Sequence, residues 1–249
     1  MKKLGKRLAT LMERIGYSVI PNWRLASDAQ GRYLRRLFNY LDTDCVLDVG
    51  ANRGQYGRFL RDQVGYRGLI VSFEPITENV AELRRIAAAD GAWVIKDFAL
   101  GQINGTSRFN VMNDSVFSSF RTPRTDGVDG MFTGNSVARR IDVEVKTLKS
   151  VLPELLSNHS IHSVYLKLDT QGFDLDVLRG AGTSLTRVRA LQTEASVKPI
   201  YEGMPGYRET IDYLISEGFE ISAFFPVSEA GFPRLIEFDC HMVSRAAIK

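Results

Sequence analysis

An α/β fold with a mostly parallel sheet and helices on both faces is predicted by two features of this 249-residue sequence. From residue 45 onward, short apolar runs alternate with helical stretches, the pattern of βαβ units. The first run leads into a glycine-rich turn, VLDVGANRGQYGRFL (46–60), of the kind that brings a ligand to the carboxyl end of a parallel strand. Composition agrees: 44% hydrophobic and 24% charged residues are ordinary for a globular chain able to build a core without staples.

The elements follow in order. Residues 4–15 place Leu4, Leu8, Leu11, Met12 and Ile15 at helical spacing among cations, and 28–41 do so with Tyr33, Leu34, Leu37, Phe38 and Leu41. An N-terminal helical segment over 1–43 is expected, followed by the main domain over 44–249. CVLDVG (45–50) reads as a buried strand, QYGRFLRDQ (55–63) as a helix, LIVSFEP (69–75) as a strand and TENVAELRRIAAAD (77–90) as a helix. AWVIKDFAL (92–100), SVYLKLD (163–169) and ALQTEAS (190–196) read as strands, with helices at 173–182 and 206–218. FEISAFF (219–225) and LIEFDCHMV (235–243) have no helix between them and should pair antiparallel at the edge or corner of the sheet. Residues 101–147 break the alternation and read as an inserted strand pair with a loop at 113–137.

Charge and cysteines narrow the function classes. The net charge of +3 is small but uneven: residues 1–36 hold nine Lys/Arg against Glu13 and Asp28. The basic helix at 4–15 fits packing on the body, a homodimer contact or a peripheral contact with anionic lipid. Cys45 and Cys240 lie in apolar runs and read as inert buried thiols. With no continuous apolar span and no signal-peptide pattern, the expected location is cytoplasmic.

The turn carries the chemistry. Its order, Asp48-x-Gly50-x-Asn52-x-Gly54, is not the G-x-G-x-x-G of dinucleotide folds. A looser turn with an acid beside it suits a ligand made of an amino acid and an adenosine, with no pyrophosphate to cradle. Asp48 would serve the ammonium group, directly or through water. Gln55 and Tyr56 open the helix beside the turn. Glu74, at the end of the second strand, is placed to accept from ribose hydroxyls, and Asp97 would lie near an adenine amine.

Four ordered motifs now stand together: the Asp48–Gly54 turn, Phe73-Glu74-Pro75, Ala99-Leu100-Gly101, and Lys167-Leu168-Asp169-x-x-Gly172. Over roughly residues 44–220 the chain resembles the FkbM family of S-adenosylmethionine-dependent methyltransferases. The resemblance implies a class I methyltransferase fold, Rossmann-like, with a seven-stranded sheet whose last strand is antiparallel. It also implies S-adenosyl-L-methionine as cofactor and methyl transfer to an oxygen, often of a sugar or polyketide hydroxyl. The chain departs from the family where Thr170-Gln171 stands in place of Val-Glu before the glycine.

An alcohol acceptor needs its proton removed by a base or made acidic by a metal. Asp169 and Glu194 end neighbouring strands near the expected methyl. They are the candidate catalytic residues, or alternatively ligands of a divalent metal, which is the less favoured reading. Lys167 either orients Asp169 or acts itself. Ser115, Ser118 and Ser119 are placed where the insertion should meet the cofactor. Tyr201, Glu202 and Tyr207 are candidates for contacts with a sugar-like acceptor. His159, His162 and His241 are read as structural or surface groups. A small-molecule or glycan hydroxyl is the expected acceptor and no nucleic-acid partner is expected. A nucleic-acid methyltransferase is disfavoured because the polar-Pro-Pro-aromatic loop of amino-methylating enzymes is replaced by Asp169-Thr170-Gln171-Gly172. A catalytically silent cofactor-binding homologue is the other alternative. A nicotinamide dehydrogenase is disfavoured by the glycine order.

Overall fold

The structure, a computed structural model, describes residues 12, 14, 16–17, 25–124, 134–227 and 231–248. The stretch at 4–15 lies outside them apart from Met12 and Arg14, both helical. Helix α1 (Leu25–Leu41) leads into β1 (Cys45–Val49), α2 (Gln55–Phe59) and β2 (Leu69–Phe73), then α3 (Thr77–Ala87) and β3 (Trp93–Lys96). Next come β4 (Ala99–Leu100), β5 (Gly105–Met112), β6 (Val137–Lys146), α4 (Leu148–His159), β7 (Val164–Leu168) and α5 (Asp174–Ala181). Strand β8 (Val188–Ser196), α6 (Tyr207–Ser216), β9 (Phe219–Pro226) and β10 (Glu237–Ser244) complete the chain.

Seven strands form one sheet in the order β3-β2-β1-β7-β8-β10-β9. All neighbouring pairs from β3 to β8 are parallel, and β10 runs antiparallel to both β8 and β9. The final hairpin forms as expected, but β10 fills the gap beside β8 and leaves β9 as the edge. Both faces of the sheet are covered, as a run like CVLDV requires. Cys45, Leu47 and Val49 face a cluster built with α4, α5 and α6, while Val46 faces Leu34, Leu37 and Phe38 of α1 and Leu83 of α3.

Three elements differ from the sequence reading. The run 92–100 is two strands, not one: β3 stays in the main sheet, and β4 leaves it to pair parallel with β6. With β5 it makes a separate three-stranded sheet, so the insertion is larger than a strand pair. Its apolar face packs Phe109, Val111, Val143 and Val145 on Ile76 and Ala99. The helix at 55–63 is α-helical only to Phe59 and closes in a π turn, Leu60–Val64. Helix α4 is not expected from the sequence pattern. Its Leu148, Val151, Leu152 and Leu155 are buried, and Thr147 caps it, accepting from the Ser150 amide at 3.1 Å. Pro153 inside the helix masks that pattern, since proline costs a backbone donor.

Candidate active site

The parallel strands end at a single edge, and a cavity of about 480 Å³ opens there. Its floor begins at the turn after β1. Gly50 has φ +77°, and a Cβ on it would stand 1.9 Å from the Asp169 carbonyl oxygen, so only glycine fits between the β1 and β7 ends. Gly54 (φ +80°) precedes α2 and packs against Leu83 and Trp93 rather than lining the cavity. Asn52, also left-handed at φ 46°, lines it. Its side chain accepts from Ser115 Oγ at 3.0 Å, which ties the insertion to the turn. Gln55 and Tyr56 line the cavity from α2, and Ser118 does so from the insertion.

Glu74 is 4% exposed and lines the same cavity. Its Oε2 accepts from the Asn52 amide at 2.8 Å, and its Oε1 from the Ile76 amide at 2.9 Å and Asn79 at 3.3 Å. Burial raises its pKa to about 7 against the lowering effect of those donors.

Asp48 departs from its expected place. It is fully buried beneath the turn and forms no part of the cavity wall. Its Oδ1 lies 3.1 Å from Lys167 Nζ, and its Oδ2 accepts from Ser72 at 3.2 Å, which in turn accepts from Trp93 Nε1 at 2.9 Å. Asp97 departs too. Its side chain is 62% exposed and pairs with Arg84 at 2.9 Å, outside the cavity, because the chain leaves the main sheet just before it.

Lys167, Asp169 and Glu194 do converge on the cavity. Lys167 Nζ bridges Asp48 and Asp169, the latter at 3.4 Å, and lies 5.1 Å from the Tyr56 ring centroid. Burial opposes its charge, but the two carboxylates hold its pKa above the ordinary lysine value. Its ammonium pairs with both carboxylates. Gln171 Nε2 donates to Asp169 Oδ1 and Glu194 Oε2, each at 3.0 Å. The residue that departs from the family pattern thus bridges the two acids. Among the described residues no three His, Cys, Asp or Glu side chains are arranged to hold a metal ion. Burial, with Glu237 and Asp169 nearby, pushes Glu194 well above the usual carboxylate range.

Other candidates stand elsewhere. Ser115 lines the cavity, but Ser119 is buried behind it, donating to the Gln171 carbonyl at 2.7 Å. Tyr201 is fully buried, and its hydroxyl lies 2.9 Å from Gln171 Oε1, so its ring supports the wall rather than offering a stacking face. Glu202 is exposed, and Tyr207 lines a separate apolar groove. His159 and His162 are exposed at the opposite edge of the sheet. His241 is buried, with its pKa lowered by burial to about 3. Cys45 and Cys240 are buried free thiols, each pushed up to about 12 mainly by burial.

The sequence reading did not single out Gln30, Gln192 or Asp239, which line the far side of the cavity. Two of them had a signal. Gln192 lies two residues before Glu194 and so on its face, and Asp239 interrupts an apolar run. Asp174 was also missed. It is 4% exposed and accepts from Thr170, Thr193 and the Glu194 amide, fixing the loops after β7 and β8.

A seven-stranded sheet of this order with a glycine turn and an acid at the ends of β1 and β2 defines a class I methyltransferase. The chain matches the family model of the methyltransferase FkbM domain over residues 48–221 and belongs to that family. It is 27% identical over 190 residues to 2-O-methyltransferase NoeI of Sinorhizobium fredii, covering 73% of this chain and 74% of that one. Among solved structures it is similar to an O-methyltransferase from Bacillus cereus in complex with SAH, at TM-score 0.47 and 11% identity, covering 92% of this chain and 84% of that one. It is also similar to magnesium protoporphyrin IX methyltransferase from Synechocystis PCC 6803, at TM-score 0.47 and 12% identity over 93% and 88% of the two chains. Aeropyrum pernix fibrillarin aligns at TM-score 0.45 and 13% identity over 80% of this chain but only 66% of that one. Among the described residues no helix is long and apolar enough to cross a membrane.

Proposed function

We propose that the protein is an S-adenosylmethionine-dependent O-methyltransferase acting on a hydroxyl of a carbohydrate or secondary metabolite. The observation that carries this is the division of one cavity into two chemistries. Asn52 and Glu74 line it at the turns after β1 and β2, and Asp169, Gln171 and Glu194 line it at the ends of β7 and β8, with Gly50 packed between the two groups against Asp169.

The first side fits the cofactor. A buried carboxylate at the end of β2 suits ribose hydroxyls, and Glu74 Oε2 takes one amide donor, leaving acceptor capacity. Ala99, Leu100, Phe109 and Phe120 add apolar walls suited to a purine. When bound, the cofactor supplies an activated methyl group. The chain's task is then to align the acceptor oxygen and take its proton. Asp169 and Glu194 are placed on that side, with Lys167 and Gln171 fixing them. The 2-O-methyltransferase relative supports an oxygen acceptor. A nucleic acid fits poorly, since a phosphodiester would meet the carboxylates of Asp169 and Asp239.

Calorimetry with S-adenosylmethionine and S-adenosylhomocysteine tests the reading. Binding to the wild type and its loss in Glu74→Ala are expected. Unchanged affinity in that variant would remove the cofactor assignment.

A further inference from the structure

The far side of the cavity is a built polar site. Asp239 on β10 stands directly opposite Glu194 on β8 in the strand register. Gln30 of α1 donates to Asp239 Oδ2 at 2.8 Å, and Gln192 of β8 also hydrogen-bonds this carboxylate. Both amides are fixed from behind. Tyr56 donates to Gln192 Oε1 at 3.1 Å, and Tyr165 lies 3.4 Å from the same oxygen. His241 lies 2.9 Å from the Tyr165 hydroxyl through Nδ1 and 3.3 Å from Gln30 Nε2 through Nε2. One assignment satisfies the contacts of His241, Gln30 and Gln192. A neutral His241 donates from Nδ1 to Tyr165, Tyr165 donates to Gln192, and Gln30 donates to both His241 Nε2 and Asp239. Burial keeps His241 neutral, as that assignment requires.

Tyr56 and Phe59 add aromatic walls next to these groups. Planar amides and carboxylates beside an aromatic face match a ring with hydroxyls on its rim and C–H bonds on its face. The described cavity wall holds one cation, Lys167, already paired with Asp48 and Asp169, so nothing balances an anionic acceptor.

We infer that the region between α1, β8 and β10 is the acceptor subsite, that it takes an uncharged polyhydroxylated ring, and that Asp239 receives the proton of the hydroxyl being methylated. This rests on the methyltransferase reading above and refines it, since Glu194 gives way to Asp239 as base. The O–H proton passes to the Asp239 carboxylate while the oxygen bonds to the methyl carbon. The methyl–sulfur bond breaks, and its electron pair stays on sulfur. The titratable groups facing Asp239 are Lys167 and Tyr165 from β7, Asp169 just after it, Tyr56 from α2, Glu194 from β8 and Glu237 from its own strand. Gln30 from α1 and Phe225 from β9 are uncharged. Burial and then Asp169 lift Asp239 to about 6, where it is ionised at neutral pH. Burial, with Glu237 and Asp169 nearby, raises Glu194 above the usual carboxylate range and so favours its protonated form.

The test is transfer of labelled methyl from S-adenosylmethionine to methyl glycosides of neutral pyranoses and of the matching uronic acids, alongside calorimetry with S-adenosylhomocysteine. Wild type is expected to methylate neutral glycosides and not uronates, with kcat rising through about pH 6. Asp239→Asn should keep cofactor binding, lose activity about 100-fold or more and lose that pH limb. Gln30→Ala should raise the KM for the glycoside and move the limb to higher pH, because a donor that lowers the Asp239 pKa is gone. Cofactor binding with no transfer to any neutral glycoside overturns the subsite. A limb that survives Asp239→Asn, or disappears in Glu194→Gln instead, overturns the base. Failure of wild type to bind either cofactor form sinks the broader reading instead.

Discussion

Lys167 carries two loops on one ammonium. It is 3% exposed and reaches Asp48 beneath the first turn and Asp169 at the end of β7. A buried charge that loses its partner is expensive, so Lys167→Met should destabilise the fold by about 3–5 kcal/mol, read from urea unfolding. A change within error would show that water already reaches the pair. Gly50→Ala should do its damage locally: the new methyl collides with Asp169 backbone, and cofactor affinity falls with the loop. Single residues were legible where a motif fixes them. Gly50, Asn52 and Glu74 follow a strand end by short-range geometry, and all three came to line the cavity. Asp48 did not, because which face of β1 meets solvent depends on what packs there.

Elements were legible where hydrophobic periodicity was clean. Strands β1, β2, β7 and β8 and helices α3, α5 and α6 fall close to their expected spans. Helix α4 was hidden by Pro153, and its start depends on the Thr147 cap. Thr147→Ala should cost about 1 kcal/mol with kcat unchanged, since α4 packs on the face of the sheet behind the cavity. A neutral result would mean packing alone sets that helix start. The split of 92–100 into β3 and β4 was illegible for another reason. Both halves are apolar, and only pairing with β6 decides that the second leaves the sheet. That departure carries Asp97 away from the site.

The whole molecule concentrates acids at one end. Glu74, Glu194 and Glu237 all have pKa values raised chiefly by burial, and Glu237 Oε1 has no hydrogen-bond partner. The folded state therefore holds more protons than the unfolded chain from about pH 4.5 to 8, and stability must fall as pH rises through that window. His241 acts in the opposite sense, but only below its ordinary value of 6.5. Between pH 6.5 and 8 the cofactor-free protein should melt at progressively lower temperature, and Glu237→Gln should flatten the decline. A melting temperature that climbs across that range would contradict the burial of these acids.

The sequence alone determined the parallel sheet, the glycine turn and the carboxylate at the second strand end, because each depends on residues close together along the chain. It also reached Asp169 and Glu194, since strand ends in such a sheet share one edge. The tertiary structure decided what faces them. Strand β10 comes to lie antiparallel beside β8 and delivers Asp239, and α1 folds across it to deliver Gln30, 209 residues away. Contacts at that range are set by how whole elements pack, and no local pattern of residues encodes them.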